Sequence, residues 1–166
     1  MVKKALITGA SGFIGSHVVD ELVRSGYDVT TLDVSKTRYS NGSETQIVGD
    51  LTEVDDVKHA VQGCDVVFHF GGLSDLNDAL DRPIDTVNMN ILATVNVLKA
   101  CVECGVEKII YASSMYVSSR DGGFYRCSKR AAEEYVREFH DRYGLKYSIL
   151  RFGSLYGPRS NAENGI

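Results

Sequence analysis

The sequence has no tryptophan, two prolines and four cysteines in 166 residues. With so few prolines, little in the chain forbids regular helix or sheet. Cys64, Cys101, Cys104 and Cys127 are too few and too unevenly placed for a disulfide scaffold. Cys101-Val-Glu-Cys104 has the spacing of a zinc or redox half-site, but no second half-site completes it. It lies inside the periodic run "NILATVNVLKACVECG", so it reads as helical core and no metal is expected. Long apolar runs are also missing. The amino-terminal "MVKKALITGASG" reaches glycine too soon for a signal sequence or a span, which makes the cytoplasm the expected setting and excludes a membrane partner. A net charge of -4 gives no electrostatic reason to expect nucleic acid.

What is present is a regular alternation. "KKALIT" (3–8), "DVTTLD" (28–33), "TQIVG" (45–49), "DVVFHF" (65–70), "EKIIYAS" (107–113) and "KYSILRF" (146–152) are short, apolar and β-rich, as strands buried on both faces must be. Helical patterns lie between them. The first carries apolar Ile14, Val18 and Leu22, the second starts from Thr52 as N-cap, the third runs through "IDTVNMNILATVNVLKACVECG" and the last through "YRCSKRAAEEYVREFHDRYG". They stop at Gly26, Gly63, Gly105 and Gly144, where a left-handed cap is cheap. The fold class that follows is α/β, a doubly wound parallel sheet. In such a sheet ligands bind beyond the carboxyl ends of the strands.

At the first of those ends stands "TGASGFIG", with Gly9, Gly12 and Gly15 three apart. The spacing differs from G-x-G-x-x-G but meets the same demands: a tight turn, backbone approach to a pyrophosphate, and close helix packing. Asp33, ending the second strand, can accept from both adenosine ribose hydroxyls and would repel a 2'-phosphate, which favours NAD over NADP. Lys36 and Arg38 behind it read as solvated loop charges. Asp50 and Leu51 past the third strand can bracket an adenine, or Asp50 can simply cap the next helix.

Tyr125 and Lys129 stand four apart and so share a helix face. A phenol with a pKa near 10 is no base at neutrality; making it one requires roughly 4 kcal/mol of preferential stabilisation of the phenolate. A nearby ammonium is the kind of group that supplies it. Ser113 and Ser114, at the carboxyl end of the fifth strand, share the sheet edge with the glycine loop, where a hydroxyl can hold a substrate oxygen.

"TGASGFIG", Asp33, Asp50-Leu51, "NILATVN", "ASSMYV", "YRCSK" and "LRFGSLYGPR" follow one another as in the extended short-chain dehydrogenase/reductases. The chain most resembles their NAD-dependent nucleotide-sugar epimerase/dehydratase branch, of the UDP-glucose 4-epimerase kind. That resemblance implies a Rossmann NAD-binding domain over residues 1–152, with 153–166 beginning a small substrate domain otherwise missing from the chain. It implies NAD held by Gly9, Ser11, Gly12, Phe13, Ile14, Gly15, Asp33, Asp50, Leu51, Phe70, Gly71, Gly72, Asn90, Ser113 and Phe152, together with Tyr125 and Lys129. Ser114, Tyr125 and Lys129 would be the catalytic residues, Tyr125 as base, and Ser114, Tyr125 and Ser154 would touch a nucleotide-sugar substrate. A homodimer would form through the helices around 84–104 and 124–143, with Val95, Leu98, Tyr135 and Phe139 serving that interface or the core.

The chain departs from that pattern in three places. Val117-Ser118-Ser119 replaces the usual V-Y-G, and only seven residues separate Val117 from Tyr125. Ser154 stands where relatives often carry asparagine. Met115-Tyr116 follow Ser114, where dehydratases place Asp-Glu, which disfavours loss of water. The expected activity is 4-epimerisation through a 4-keto sugar with tightly held NAD. Net sugar-nucleotide oxidation or ketone reduction, and a non-catalytic NAD-binding module, are the alternatives. Arg151, Arg159 and His69 read respectively as a strand-end ion pair, a solvated loop charge and a packed strand residue.

Overall fold

The computed structural model describes residues 2–160; Met1 and residues 161–166, the end of the stretch read as substrate-binding, lie outside the described residues. Six parallel strands form one sheet in the order β3-β2-β1-β4-β5-β6. They are β1 (Lys4–Thr8), β2 (Asp28–Asp33), β3 (Thr45–Val48), β4 (Val66–His69), β5 (Lys108–Ser114) and β6 (Lys146–Phe152). The helices are α1 (Phe13–Arg24), α2 (Val54–Val61), α3 (Leu76–Asp81), α4 (Pro83–Thr86), α5 (Ala93–Glu103) and α6 (Gly123–Tyr143). The strand ends are in register: Thr8 pairs with both Leu32 and His69, and Ser114 with Phe152. That registration brings every turn after a strand to one edge.

Between β1 and β4 the chain reverses its winding. The β1 residues Ala5 and Ile7 pack with Val19 and Leu22 of α1 on one face, while Leu6 joins Val57, Val97, Leu98, Ile109 and Val136 on the other, beneath α2, α5 and α6. The inner strands β1, β2, β4 and β5 have the buried residues that their continuous apolar composition calls for, whereas β3 and β6, at the two edges of the sheet, have none, so the expectation of burial on both faces does not hold for them. Leu98 is fully buried and therefore belongs to the core; Tyr135 is exposed.

Several local details depart from the sequence reading. The buried stripe of α1 is Gly15, Ser16, Val19 and Leu22, with Ile14 and Val18 only half-buried. The third glycine dictates that rotation, since it faces the first turn and brings its own side of the helix inward. Thr52 is not the cap of α2, which starts after Glu53; its hydroxyl instead donates to Asp50 Oδ1 at 2.8 Å. The single helix expected around 84–105 is α4, a wider π-helical turn over Val87–Leu92, and α5, and the unanticipated α3 precedes it. Asp75 caps α3 by accepting the Asn77 and Asp78 amides at 2.7 and 3.1 Å. The last helix begins two residues before Tyr125, after Gly122 at φ 92°. Arg159 is no solvated charge: it pairs with Asp20 at 2.7 Å and lies over the Tyr39 ring at 4.7 Å. These contacts draw the stretch after β6 across α1.

Glycine stops behave as the sequence indicates, with Gly26, Gly63, Gly105 and Gly144 all at φ between 73° and 81°. Open space surrounds Gly144, whereas a Cβ at Gly9 would stand 2.6 Å from the Gly71 nitrogen. Gly144→Ala is therefore expected to cost about 1 kcal/mol, from left-handed backbone strain alone. Gly9→Ala should cost distinctly more, and urea unfolding of the two variants measures the difference.

Candidate functional site

The first turn is built by hydrogen bonds that only a bare backbone permits. Gly9, at φ 69°, donates its amide to the Leu32 carbonyl at 3.1 Å, and its own carbonyl accepts from the Gly12 amide at 3.2 Å. A Cβ on Gly15 would stand 2.2 Å from that carbonyl oxygen, so α1 can pack here only with glycine. Around Gly12 the sole neighbour of an added Cβ is the Gly9 oxygen, at 3.3 Å. Its outer side is open. Gly12 precedes α1 without a side-chain cap, and the first helical turn carries no acid. Uncapped amides at a helix N-terminus, beside a turn too tight for side chains, suit a pyrophosphate.

Asp33 closes the loop from β2. Its Oδ2 accepts the Ser11 amide at 2.9 Å and its Oδ1 the Val34 amide at 2.7 Å. Each carboxylate oxygen retains a further lone pair, so the fork can still receive two hydroxyls. Ser11 also donates its hydroxyl to the Ser35 carbonyl at 2.9 Å. Asp50 uses Oδ1 to accept both the Thr52 amide and hydroxyl at 2.8 Å, and its amide donates to Asp56. Leu51 is buried, reaching to 2.4 Å from where a Gly71 Cβ would stand. Asn96, which the sequence reading passed over, supports this turn by donating to the carbonyls of Leu51 and Thr52 at 3.1 and 3.2 Å.

Past β4, Gly71 lies against Gly9, and Gly72, at φ 148°, lies against Asn90. The π-helical turn brings the Asn90 amide to bear on this loop: Oδ1 accepts from the Leu73 amide at 2.7 Å, and Nδ2 donates to the Leu73 carbonyl at 3.0 Å. Phe70 and Phe152, half-buried at the ends of β4 and β6, have ring centroids 6.4 Å apart. Phe13 and Ile14 begin α1 beside the loop.

Ser114, Tyr125 and Lys129 come together at this edge, 5%, 9% and 6% exposed. Lys129 Nζ donates to the Ala112 carbonyl at 2.9 Å and lies 5.9 Å from the centre of the Tyr125 ring. Burial drives its pKa down to about 8, so it remains an ammonium at neutrality. Burial pushes the Tyr125 phenol up; the adjacent Ser114 hydroxyl opposes that shift and the Tyr116 phenol adds to it. The chain's own groups thus leave Tyr125 above the usual phenol value. A further positive charge near the ring would be required to make it a base.

The short approach to Tyr125 is ordered by Arg126, which donates to the Ser119 and Arg120 carbonyls, both at 3.1 Å. Gly122 lets the Tyr116 ring come close, 3.1 Å from where a Cβ would be, and Tyr116 packs edge-on to Tyr125 with centroids 6.5 Å apart. Ser154, by contrast, is exposed beyond β6.

Ser113 donates its hydroxyl to Glu133 Oε1 at 2.6 Å. Arg151 forks onto the same carboxylate, Nε to Oε1 at 2.9 Å and Nη2 to Oε2 at 2.7 Å, and Arg137 donates to Oε2 at 2.7 Å. Glu133 is only 2% exposed. The sequence held its signal, an acid four residues beyond Lys129 on the face that already carries Tyr125.

Residues 5–165 match the NAD dependent epimerase/dehydratase family. The chain belongs to that family. It is 30% identical to a putative UDP-glucose 4-epimerase of Methanocaldococcus jannaschii, over 95% of this chain and 58% of that protein. It is also 30% identical to dTDP-D-glucose 4,6-dehydratase of Mus musculus, over 99% of this chain and 54% of that protein. The UDP-glucose 4-epimerase of Thermus thermophilus, solved in complex with NAD, superposes with a TM-score of 0.86 at 30% identity, covering 95% of this chain and 57% of that one. The chain thus spans little more than half the length of these relatives. NAD is the cofactor of the family, and the glycine cradle with its open helix terminus and acidic fork fits it. Among the described residues no helix is long and apolar enough to cross a membrane.

Two outcomes follow from the charges at this site. NAD is expected to bind at least about tenfold more tightly than NADP, and Asp33→Asn, which keeps the fork but removes its charge, should narrow that gap in titration calorimetry. Burial alone would raise the Glu133 pKa, but hydrogen bonds from Arg151, Ser113 and Arg137 hold it at about 2, against an ordinary value of 4.5. Its contribution to stability is therefore complete above about pH 4.5 and is lost as pH falls towards 2. Glu133→Gln should remove that part of the acid slope and cost about 2 kcal/mol at neutral pH, read by urea unfolding.

Proposed function

We propose that this chain is the NAD-binding and catalytic portion of a nucleotide-sugar 4-epimerase. The observation that carries the reading is the meeting of Ser114, Tyr125 and Lys129 at the edge that also holds the glycine cradle. NAD, when bound, supplies the hydride acceptor and donor for the sugar carbon; the side chains of this protein handle its hydroxyl. Gly9, Gly12 and Gly15 would admit the pyrophosphate, Asp33 the adenosine ribose, and Leu51 the adenine. Ser114 holds the sugar oxygen by hydrogen bonding, and Tyr125 takes that oxygen's proton and later returns it. Lys129 stands behind the phenol as an ammonium with no carboxylate partner among the described residues, so its field acts on whatever charge develops at the Tyr125 oxygen. Ser154, from its exposed position beyond β6, would reach the sugar.

Met115 and Tyr116 support epimerisation over dehydration. Loss of water from a sugar needs an acid and a base beside the ring, and neither Met115 nor Tyr116 brings the carboxyl groups that the dehydratases place there. Four free thiols, Cys64 and Cys101 among them buried, fit a cytoplasmic setting. A homodimer through α5 and α6 is supported by exposed Leu92 just before α5 and Tyr135 on α6.

The natural full-length protein, supplied with UDP-sugars and only catalytic NAD+, should interconvert 4-epimers without net NADH. Tyr125→Phe should lower the rate by about 10²- to 10⁴-fold while leaving NAD affinity within a few-fold of the parent. Stoichiometric NADH accumulation would instead identify a dehydrogenase, and an unchanged Tyr125→Phe rate would remove Tyr125 from the chemistry.

A further inference from the structure

His69 ends β4 with 1% of its surface exposed, outside the residues assigned above to cofactor or chemistry. Its Nδ1 lies 2.7 Å from Thr8 Oγ1, at the end of β1, and its Nε2 lies 3.0 Å from Thr94 Oγ1, in the first turn of α5. A neutral imidazole has one donor and one acceptor, and its neighbours decide which nitrogen is which. Thr94 decides it here. Its single hydroxyl proton goes to the Asn90 carbonyl at 2.7 Å, so towards His69 its oxygen can only accept. The hydrogen is therefore on Nε2. Nδ1 carries the lone pair and receives the Thr8 hydroxyl proton, which leaves Thr8 Oγ1 to accept the Gly71 amide at 3.1 Å. The whole chain of hydrogen bonds runs in one direction, from the Gly71 amide through Thr8, His69 and Thr94 to the Asn90 carbonyl.

Both ends of that chain meet the site. Gly71 is the residue against which Gly9 packs. Asn90 clamps Leu73 and donates through Nδ2 to Ser128 Oγ at 2.9 Å, and the Ser128 hydroxyl donates to the Tyr125 carbonyl at 2.9 Å.

We propose that His69, as the neutral Nε2–H tautomer, is a positioning residue that sets the Gly71 turn against Asn90 and so keeps the NAD cradle in register with the turn of α6 bearing Tyr125 and Lys129. The proposal rests on the reading of the glycine loop as an NAD site. An imidazolium would present two donors and no acceptor, obliging Thr8 to turn its proton away from Nδ1. Burial, and then the charge of Lys129, hold the His69 pKa down to about 3. Among the described residues the titratable group that also packs on the ring is Tyr111, with centroids 5.8 Å apart, and Lys129 Nζ lies 5.2 Å from the Tyr111 centroid.

Long-range 1H–15N correlation spectra of the wild-type protein test the tautomer directly. The His69 ring should remain neutral and Nε2-protonated from about pH 8 to about pH 5. An Nδ1-protonated ring, or titration within that range, overturns the proposal. A pair of variants tests the consequence. Thr8→Val should speed exchange of the Gly71 amide and weaken NAD binding, each by about tenfold, and Thr8→Ser, which retains the hydroxyl, should restore both. Unchanged Gly71 exchange and NAD affinity in a folded Thr8→Val protein also overturn it; should that variant not fold, the wild-type tautomer decides. Wild-type protein that binds no NAD would sink the cofactor reading by itself, while tautomer and amide exchange still report on His69.

Discussion

Gly9 and Gly71 touch through their backbones, at the ends of the two adjacent strands where the winding of the sheet reverses. Helix α1 leaves β1 on one face, while the later helices cover the other, so the turns after β1 and β4 would ordinarily diverge and leave a crevice between them. Here the two turns converge at its base, at a distance that excludes a Cβ on Gly9. The arrangement around them follows from that contact. Gly15 brings α1 down onto the first turn, Leu51 fills the space beside Gly71, and Asn90 closes over Gly72 and Leu73. The two turns thus close the floor of the crevice, beside the uncapped amino-terminal turn of α1, which suits a pyrophosphate.

Helix α6 carries two buried charges four residues apart, and the structure treats them oppositely. Glu133 receives hydrogen bonds from two guanidinium groups and a serine, and its charge is well compensated. It ties α6 to β5 and β6, and through Ser113 it fixes the strand end that bears Ser114. Lys129 has a single backbone carbonyl as partner among the described residues, and burial lowers its pKa. A buried ammonium without a counter-ion costs stability, and groups perturbed in this way cluster at functional sites. The position of Lys129 by the Tyr125 ring, 5.9 Å from the centroid, is what the proposed function draws on. The polar string through His69 and Asn90 reaches the same turn of α6 through Ser128, whose hydroxyl donates to the Tyr125 carbonyl.

Strand positions, the glycine stops and the site edge were legible in the sequence because each depends on local properties. A run of β-branched residues between turn residues reads as a buried strand whatever its neighbours, and a left-handed cap calls for glycine wherever it occurs. Less local features were obscured. Thr52 looks like a cap because threonine after a strand usually is one, but Asp50, two residues earlier, takes its hydroxyl. Ile14 and Val18 suggest one face of α1, yet Gly15 turns another face inward, since backbone proximity outweighs side-chain burial there. The π-helical turn around Asn90 has no period of its own in the sequence; it arises from the fit of one amide against Gly72 and Leu73.

By itself the sequence determined the α/β architecture, the edge at which the candidate site lies, and the spacing that puts Tyr125 and Lys129 on one helix face. Those are consequences of periodicity and of backbone conformations that glycine alone adopts easily. Only the tertiary structure decided what the polar side chains do. It gave Glu133 its two arginines, drew Arg159 onto Asp20, and turned His69 from a packed strand residue into the centre of a directed hydrogen-bond string. The partners in these bonds lie as many as 139 residues apart, as Asp20 and Arg159 do, and a hydrogen-bond direction exists only once both partners are in place.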